Sequence, residues 1–367
     1  MRIELFSPQG SWKIQTDAAV FAEEAGFDAF ACPEIAHDPF MALALAAQRT
    51  QRIGLRTAIA VAFARSPMIA ANQSWDLSTE SGGRFVLGLG TQVQPHIERR
   101  FSATWTKPRS QLREYVLAIR AIHRAWEQRE KLKFQGEHYR FSLMTPEFSP
   151  EPTGRAPVPI YTAAVRPGML ELAGEVADGV RLHGFMTRRY LDEVAMPAIQ
   201  KGLDSRGRTR DRFEVCGGGF IATGPDDETV QKMREIIRFR VAFYASTPSY
   251  WPVLELHGWK PLGEKLRAMT ISGRWQAMAA EVPDDVLEAF CVAAPWRDLR
   301  AAVGKRFGGV SDAIELAHLP GTTAPAVREV VEDLQKIPSV AREAVTRWDE
   351  IPAGEVDPAR AVATPHL

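Results

Sequence analysis

Eight short apolar segments, each ending near a glycine, a proline or a small polar residue, run the length of the chain. They are Arg2 to Phe6, Phe27 to Cys32, Ile53 to Val61, Phe85 to Leu89, Val158 to Ala164, Gly179 to His183, Phe213 to Ala222 and Ala313 to Ala317. Most are followed by an amphipathic stretch of helical period. The first four start roughly 25 residues apart, the length of one strand, one crossover helix and two short loops. The spacing predicts an α/β fold, a (β/α)8 barrel of the TIM type.

Helix starts and stops support the same reading. Asp38-Pro39, Ser66-Pro67 and Arg166-Pro167 each put proline at a first helical position, where its missing N–H is not needed and its fixed φ suits the helix; Asp38 and Ser66 are also good N-caps. Gly26, the Gly82-Gly83 pair and Gly179 follow Ala-rich helices and suit the left-handed turn back to a strand.

A chain of 367 residues fits one barrel domain with insertions, expected over residues 1–350, with residues 351–367 as a poorly ordered tail. The 45 basic and 45 acidic residues balance, so no global field steers the protein to nucleic acid or an anionic membrane. Cys32, Cys216 and Cys291 lack C-x-x-C spacing and sit in strand-like or helical runs. An odd number of cysteines behind an N-terminus that starts directly with a strand predicts buried thiols and a cytoplasmic setting. No stretch reads as a membrane span.

Two regions exceed a plain barrel's needs. Residues 92–156, after the fourth strand, hold a helix (Ser110 to Gln128) and a hairpin turning near Gln135-Gly136; residues 225–295, after the seventh, hold a longer helical insertion. Both emerge at the C-terminal ends of strands, the face on which barrels of this type carry their active sites.

The eight histidines form no H-x-H, H-E-x-x-H or Cys/His cluster, so no metal site is expected. No nucleophile elbow is present. Gly88-Leu89-Gly90 is half of a dinucleotide fingerprint, but it lacks the third glycine and runs into Gln94-Pro95. The fifth unit, PIYTAAVRPGMLELAGEVADG, carries more. A strand ends in small residues and a helix starts at Pro167, so N–H groups of Val165, Arg166, Gly168 and Met169 and the Arg166 charge outline a phosphate site. An ordinary barrel turn with a solvated arginine is the other reading.

SPMIAANQSWDLSTESGGRFVLGLGTQ together with PIYTAAVRPGMLELAGEVADGV resembles the bacterial luciferase-like flavin and deazaflavin oxidoreductases, a (β/α)8 family. The likeness spans roughly Met1 to Ala222 and resumes near the eighth strand. PEIAHDPF, TAIAVAFARSP and AFYASTPSYWPVLELHGW look most like an actinobacterial subgroup that uses coenzyme F420, a deazaflavin.

The resemblance implies a non-prolyl cis peptide behind the cofactor ring at Ala58-Ile59 or the next bond, and the alternative is a regular buried strand. It implies polar chemistry from Glu34 and His37 at the end of the second strand, each of which is otherwise a capping or loop residue. Relatives that oxidise a sugar phosphate carry a Gly-Glu pair where this chain has Gln92-Val93, which argues against that substrate. Thr91 and Gln92 remain as hydrogen-bonding groups for the cofactor. The phosphate end falls on Ala164, Val165, Arg166, Gly168 and Met169. His183, Tyr244, Tyr250 and Trp251, with His257, form a substrate wall or merely pack the insertion, and Arg65 reaches either phosphate or a local carboxylate.

The resulting expectation is hydride transfer between F420 and a small organic substrate, in a protein that is a homodimer. An FMN-dependent monooxygenase and a non-catalytic cofactor-binding protein are the competitors.

Overall fold

The computed structural model describes residues 1–342 and 347–351. The expected tail, residues 351–367, lies outside the described residues except for Ile351.

Eight parallel strands close into a ring: Arg2–Phe6, Ala29–Cys32, Gly54–Thr57 continued by Ala60–Val61, Phe85–Gly90, Ile160–Ala164, Gly179–Leu182, Glu214–Gly217 and Ala313–Ala317. The first strand pairs with both the second and the eighth, Glu4 lying opposite Ala29 on one side and Glu315 on the other. The third pairs with the fourth, which completes the circle. This is the (β/α)8 barrel the spacing predicts.

The helix starts use the expected devices. The Asp38 carboxylate accepts from the N–H groups of Phe40 (2.8 Å) and Met41 (3.4 Å), and the Ser66 hydroxyl accepts from Ile69 N–H at 3.3 Å. Pro39, Pro67 and Pro167 each stand at the start of a helix. Ile3, Leu5, Phe30, Leu55, Phe85, Leu87 and Leu89 turn outward from the strands and are fully buried under the helix ring. The described helices contain none long and apolar enough to cross a membrane.

The third strand is interrupted at a cis peptide between Ala58 and Ile59, one of the two bonds at which the family resemblance implied one. Two segments differ from the sequence expectation. The seventh segment is two strands: after Glu214–Gly217 the chain turns at Gly217 and Gly218, both in the left-handed region (φ 78° and 101°), and Phe220–Gly224 leaves the barrel to pair in parallel with Cys291–Pro295. A side chain at Gly217 would place its Cβ 2.6 Å from Leu182 O, so glycine alone makes that turn. The helix Pro108–Glu127, assigned to an insertion, packs between the helices Pro67–Glu80 and Pro167–Val176 and is the fourth crossover of the ring. The short hairpin Phe134–Gln135 with Arg140–Phe141 is held by the buried Glu114, whose carboxylate accepts from the N–H groups of Glu137, His138 and Tyr139.

Candidate functional site

At the rim above the second and third strands, Glu34 and Arg65 form a two-pronged pair, Nη1 to Oε2 at 2.7 Å and Nη2 to Oε1 at 2.9 Å. Val61 N–H also donates to Glu34 Oε2 at 2.7 Å, Arg65 Nη1 donates to Val61 O at 2.8 Å, and Glu34 N–H donates to Ile59 O at 3.2 Å. Glu34 therefore grips the chain just beyond the Ala58–Ile59 bond, while Ala58 N–H on the near side donates to Cys32 O at 2.8 Å. Burial of Arg65 opposes its charge, but the Glu34 hydrogen bonds outweigh this and the guanidinium pKa rises. Both Glu34 oxygens are thus committed to hydrogen bonds that tie the end of the second strand to the third. Arg65 takes the local carboxylate, not phosphate. His37 is exposed on the loop beyond.

Above the fourth strand, Thr91 Oγ1 donates to Gln92 O at 3.0 Å, and Gln92 is held in the left-handed region at φ 59°. Both are half-buried at the rim, but the Thr91 hydroxyl proton is already used locally. Gly88 and Gly90 leave the inner face of this strand bare. Gly88 N–H donates to Thr57 Oγ1 at 2.8 Å and the hydroxyl donates back to Gly88 O at 2.7 Å. A Cβ on Gly88 would come within 2.0 Å of Thr57 O, and one on Gly90 within 2.5 Å of Ile59 Cδ1. These glycines serve barrel packing, not a dinucleotide turn.

At the fifth strand, Ala164 closes the strand, Val165 follows half-buried, and Arg166 is the exposed N-cap of the helix Pro167–Val176. Met169 N–H is not open, since it turns back to Arg166 O at 3.0 Å, and Pro167 has none. The N–H groups of Val165, Arg166 and Gly168 stand at the positive end of this ten-residue helix. The Arg166 side chain has no hydrogen-bond or ion-pair partner among the described residues. Arg109, which the sequence reading missed, lies beside it: its Cδ sits 3.8 Å from where a Cβ on Gly168 would be, and its guanidinium reaches Glu171 at 3.2 Å. The signal was present in Lys107-Pro108-Arg109, a further proline-started helix with a cation in its first turn.

Above the sixth strand, the insertion lays aromatic rings over His183. The Tyr244 ring centroid is 4.2 Å away, Tyr250 4.8 Å and Phe220 6.3 Å. Phe185 N–H donates to His183 Nδ1 at 2.9 Å, which leaves the neutral ring's proton on Nε2. Burial lowers the imidazole pKa to about 4. His183 is thus a neutral N–H donor in an aromatic box. Trp251 does not join it: its indole N–H donates to Ala245 O at 2.9 Å and packs the insertion. His257 is likewise occupied, hydrogen-bonded to Thr187 at 2.8 Å and stacked on Trp259.

Beneath the rim the barrel is filled by charge, where barrels usually carry branched apolar side chains. Arg56 contacts Glu4 at 2.6 Å and Glu214 at 2.9 Å; Arg181 contacts Glu4 at 2.8 Å and also Glu315; Arg2 contacts Glu214 at 2.6 Å; Tyr161 OH donates to Glu214 at 2.5 Å. Three arginines meet three glutamates, so the interior is neutral overall. Burial alone would raise the Glu214 pKa, but Arg56 and Arg2 overcome it and bring the value to about 2. Glu4, Glu214 and Cys216 place ligand atoms within 4.8 Å of one another. Arg56 already supplies their positive charge, and burial pushes the Cys216 thiol pKa well up, so the cluster is an ion-pair core.

The chain belongs to the luciferase-like monooxygenase family, whose pattern matches residues 3–310. It is 48% identical over 299 residues to an uncharacterized protein of Mycobacterium tuberculosis, covering 81% of this chain and 88% of that one. It is 30% identical over 279 residues to the 5,10-methylenetetrahydromethanopterin reductase of Archaeoglobus fulgidus, covering 74% and 79%. Among solved structures, the coenzyme F420-dependent tetrahydromethanopterin reductase of Methanopyrus kandleri superposes with a TM-score of 0.71 at 21% identity, over 92% of this chain and 97% of that one.

Proposed function

We propose that the protein is an oxidoreductase that transfers hydride between coenzyme F420 and a small organic substrate. The observation carrying this reading is Arg166: an exposed, unpaired guanidinium at an open helix start, on the same rim as the His183 box. A phosphate-bearing tail fits the Arg166 and Gly168 N–H groups, with Arg109 adding a second positive charge. Ala58, Ile59, Thr91 and Gln92 offer a wall for a flat ring. Sequence similarity to proteins described as F420-dependent oxidoreductases supports the deazaflavin.

When bound, a deazaflavin supplies a ring carbon that exchanges hydride and reacts poorly with oxygen. The chain's own residues orient the substrate. Tyr244 and Tyr250 give apolar contact, and His183 Nε2–H donates to a carbonyl or hydroxyl oxygen. The test is a visible-absorbance titration of the purified protein with F420 and with FMN, followed by turnover on alcohols, aldehydes, enones and nitro compounds. Tight F420 binding with turnover is expected; tight FMN binding with no F420 binding overturns it.

The second reading, an FMN-dependent monooxygenase, is favoured by the family's own description. It uses the same phosphate site and would show oxygen consumption with reduced FMN.

A further inference from the structure

We propose that Glu315 is the group that exchanges a proton with the substrate, from below the C-terminal rim of the barrel. The inference rests on the hydride-transfer reading above and supplies a proton partner whose carboxylate, unlike that of Glu34, keeps one oxygen unbonded.

Among the inward-facing carboxylates described, Glu4 and Glu214 have both oxygens against buried cations. Glu4 gives one oxygen to Arg56 and the other to Arg181, with its side chain fully buried. Glu214 gives one to Arg56 and Cys216 and the other to Arg2 and Tyr161. Glu315 gives only Oε1, to Arg181, and Oε2 has no partner among the described residues. Its side chain is 35% exposed although it points into the barrel. The direction of that exposure is fixed by its strand: Ala313, two residues below on the same face, is fully buried, while Ala317, two residues above, is exposed and carries only a methyl group. Glu315 therefore opens upward, to the C-terminal rim. Arg181, which holds its other oxygen, is two residues before His183, which follows the end of the sixth strand, so Glu315 and the His183 donor both stand toward the C-terminal rim.

The charged groups facing Glu315 are Arg181 from the sixth strand, Glu4 from the first and Arg56 from the third. Burial raises the Glu315 carboxyl pKa; Arg181 opposes this and Glu4 adds to it, and the net direction is upward. A carboxyl tuned upward serves as acid or base closer to neutral pH. In oxidation of a carbinol, the C–H and O–H bonds break and C=O forms; the C–H electron pair leaves as hydride to the deazaflavin, and the O–H proton passes to Glu315 Oε2. Reduction reverses each transfer.

The test compares the wild type with Glu315→Gln, which retains the hydrogen bond to Arg181 but cannot ionise. In cofactor-free protein, infrared difference spectra across a pH titration should show a carboxylic-acid C=O band that titrates above the usual carboxylate range in wild type and is missing in Glu315→Gln. F420 affinity should be equal in the two proteins. With the panel compound that turns over, kcat should fall roughly 100-fold or more and the corresponding limb of the pH profile should vanish. A band absent from wild type, or a pH limb unchanged in Glu315→Gln, overturns the assignment. Failure of both proteins to bind F420 falls on the cofactor reading instead, while the infrared band still decides whether Glu315 takes up the proton. If Glu315→Gln does not fold, Glu315→Asp keeps the charge on a shorter arm; it should keep the infrared band and lose kcat with KM unchanged, and an unaltered kcat counts against the proposal.

Discussion

Glu34 and Arg65, 31 residues apart in sequence, meet at 2.7 and 2.9 Å and fasten the second strand's end to the chain on the far side of the Ala58–Ile59 bond. The pair is nearly buried, with side chains 8% and 11% exposed. Removing one partner strands the other charge, so Glu34→Ala is expected to lower folding stability by about 3 kcal/mol. It should also weaken cofactor binding through loss of the rim's shape. Urea unfolding of the variant beside Arg65→Ala and the double mutant measures this; additive single effects would show that the pair is not coupled.

Arg166→Glu places a negative charge at the helix start where a phosphate is proposed to sit. F420 binding should weaken by one to two orders of magnitude, roughly 1.4–2.8 kcal/mol, with little change in stability because the side chain is exposed. A fluorescence titration of F420 reads the effect, and an unchanged Kd removes the assigned role.

The ion-pair core makes stability depend on acid. The folded Glu214 pKa is about 2 against an ordinary 4.5. Its contribution is therefore fully present above about 4.5 and is lost as pH falls through 2. Glu214→Ala should cost about 3–5 kcal/mol at neutral pH, because Arg56 and Arg2 lose their shared partner. Chemical denaturation at pH 7 and pH 3 tests both statements.

His183 should stay neutral throughout the physiological range. Its folded pKa of about 4 lies below the ordinary 6.5, so the unfolded chain binds the proton first and stability from this site declines as pH falls from about 6.5 to 4. Nuclear magnetic resonance of the imidazole, assigned against His183→Gln, should show no titration between pH 5.5 and 8, a range that follows from the lowered value.

Two glycines separate packing from flexibility. Gly88→Ala drives a Cβ to within 2.0 Å of the Thr57 carbonyl oxygen and should destabilise the barrel by about 3 kcal/mol, whereas Gly304→Ala, in the helix Trp296–Phe307 with nothing within 4 Å, should stabilise by roughly 0.5–1 kcal/mol. Thermal melts of the two variants should move in opposite directions.

Much of the scaffold was legible because its signals are local. Proline at a helix start, a capping Asp38 or Ser66 and an apolar run each act within a few residues, and the chain cannot place them elsewhere without loss. The break at Gly217-Gly218 was also written in the sequence as three consecutive glycines, yet the run around it was apolar enough to look like one strand. The site was less legible. Nothing beside Glu34 in the sequence showed that Arg65 would meet both its oxygens, and Trp251 looked like a wall until its N–H was found on Ala245.

The sequence by itself determined the eight barrel segments, the capped helices between them and the helix start at Arg166, since all three follow from short-range backbone chemistry. Only the tertiary structure decided which charges share the barrel interior. Arg56 and Glu214 are 158 residues apart, and Arg181 and Glu315 are 134 apart. Nothing local links such residues. Ring closure brings them to within hydrogen-bonding distance, and the low dielectric there determines which carboxylate is held at both oxygens and which, at Glu315, keeps one free.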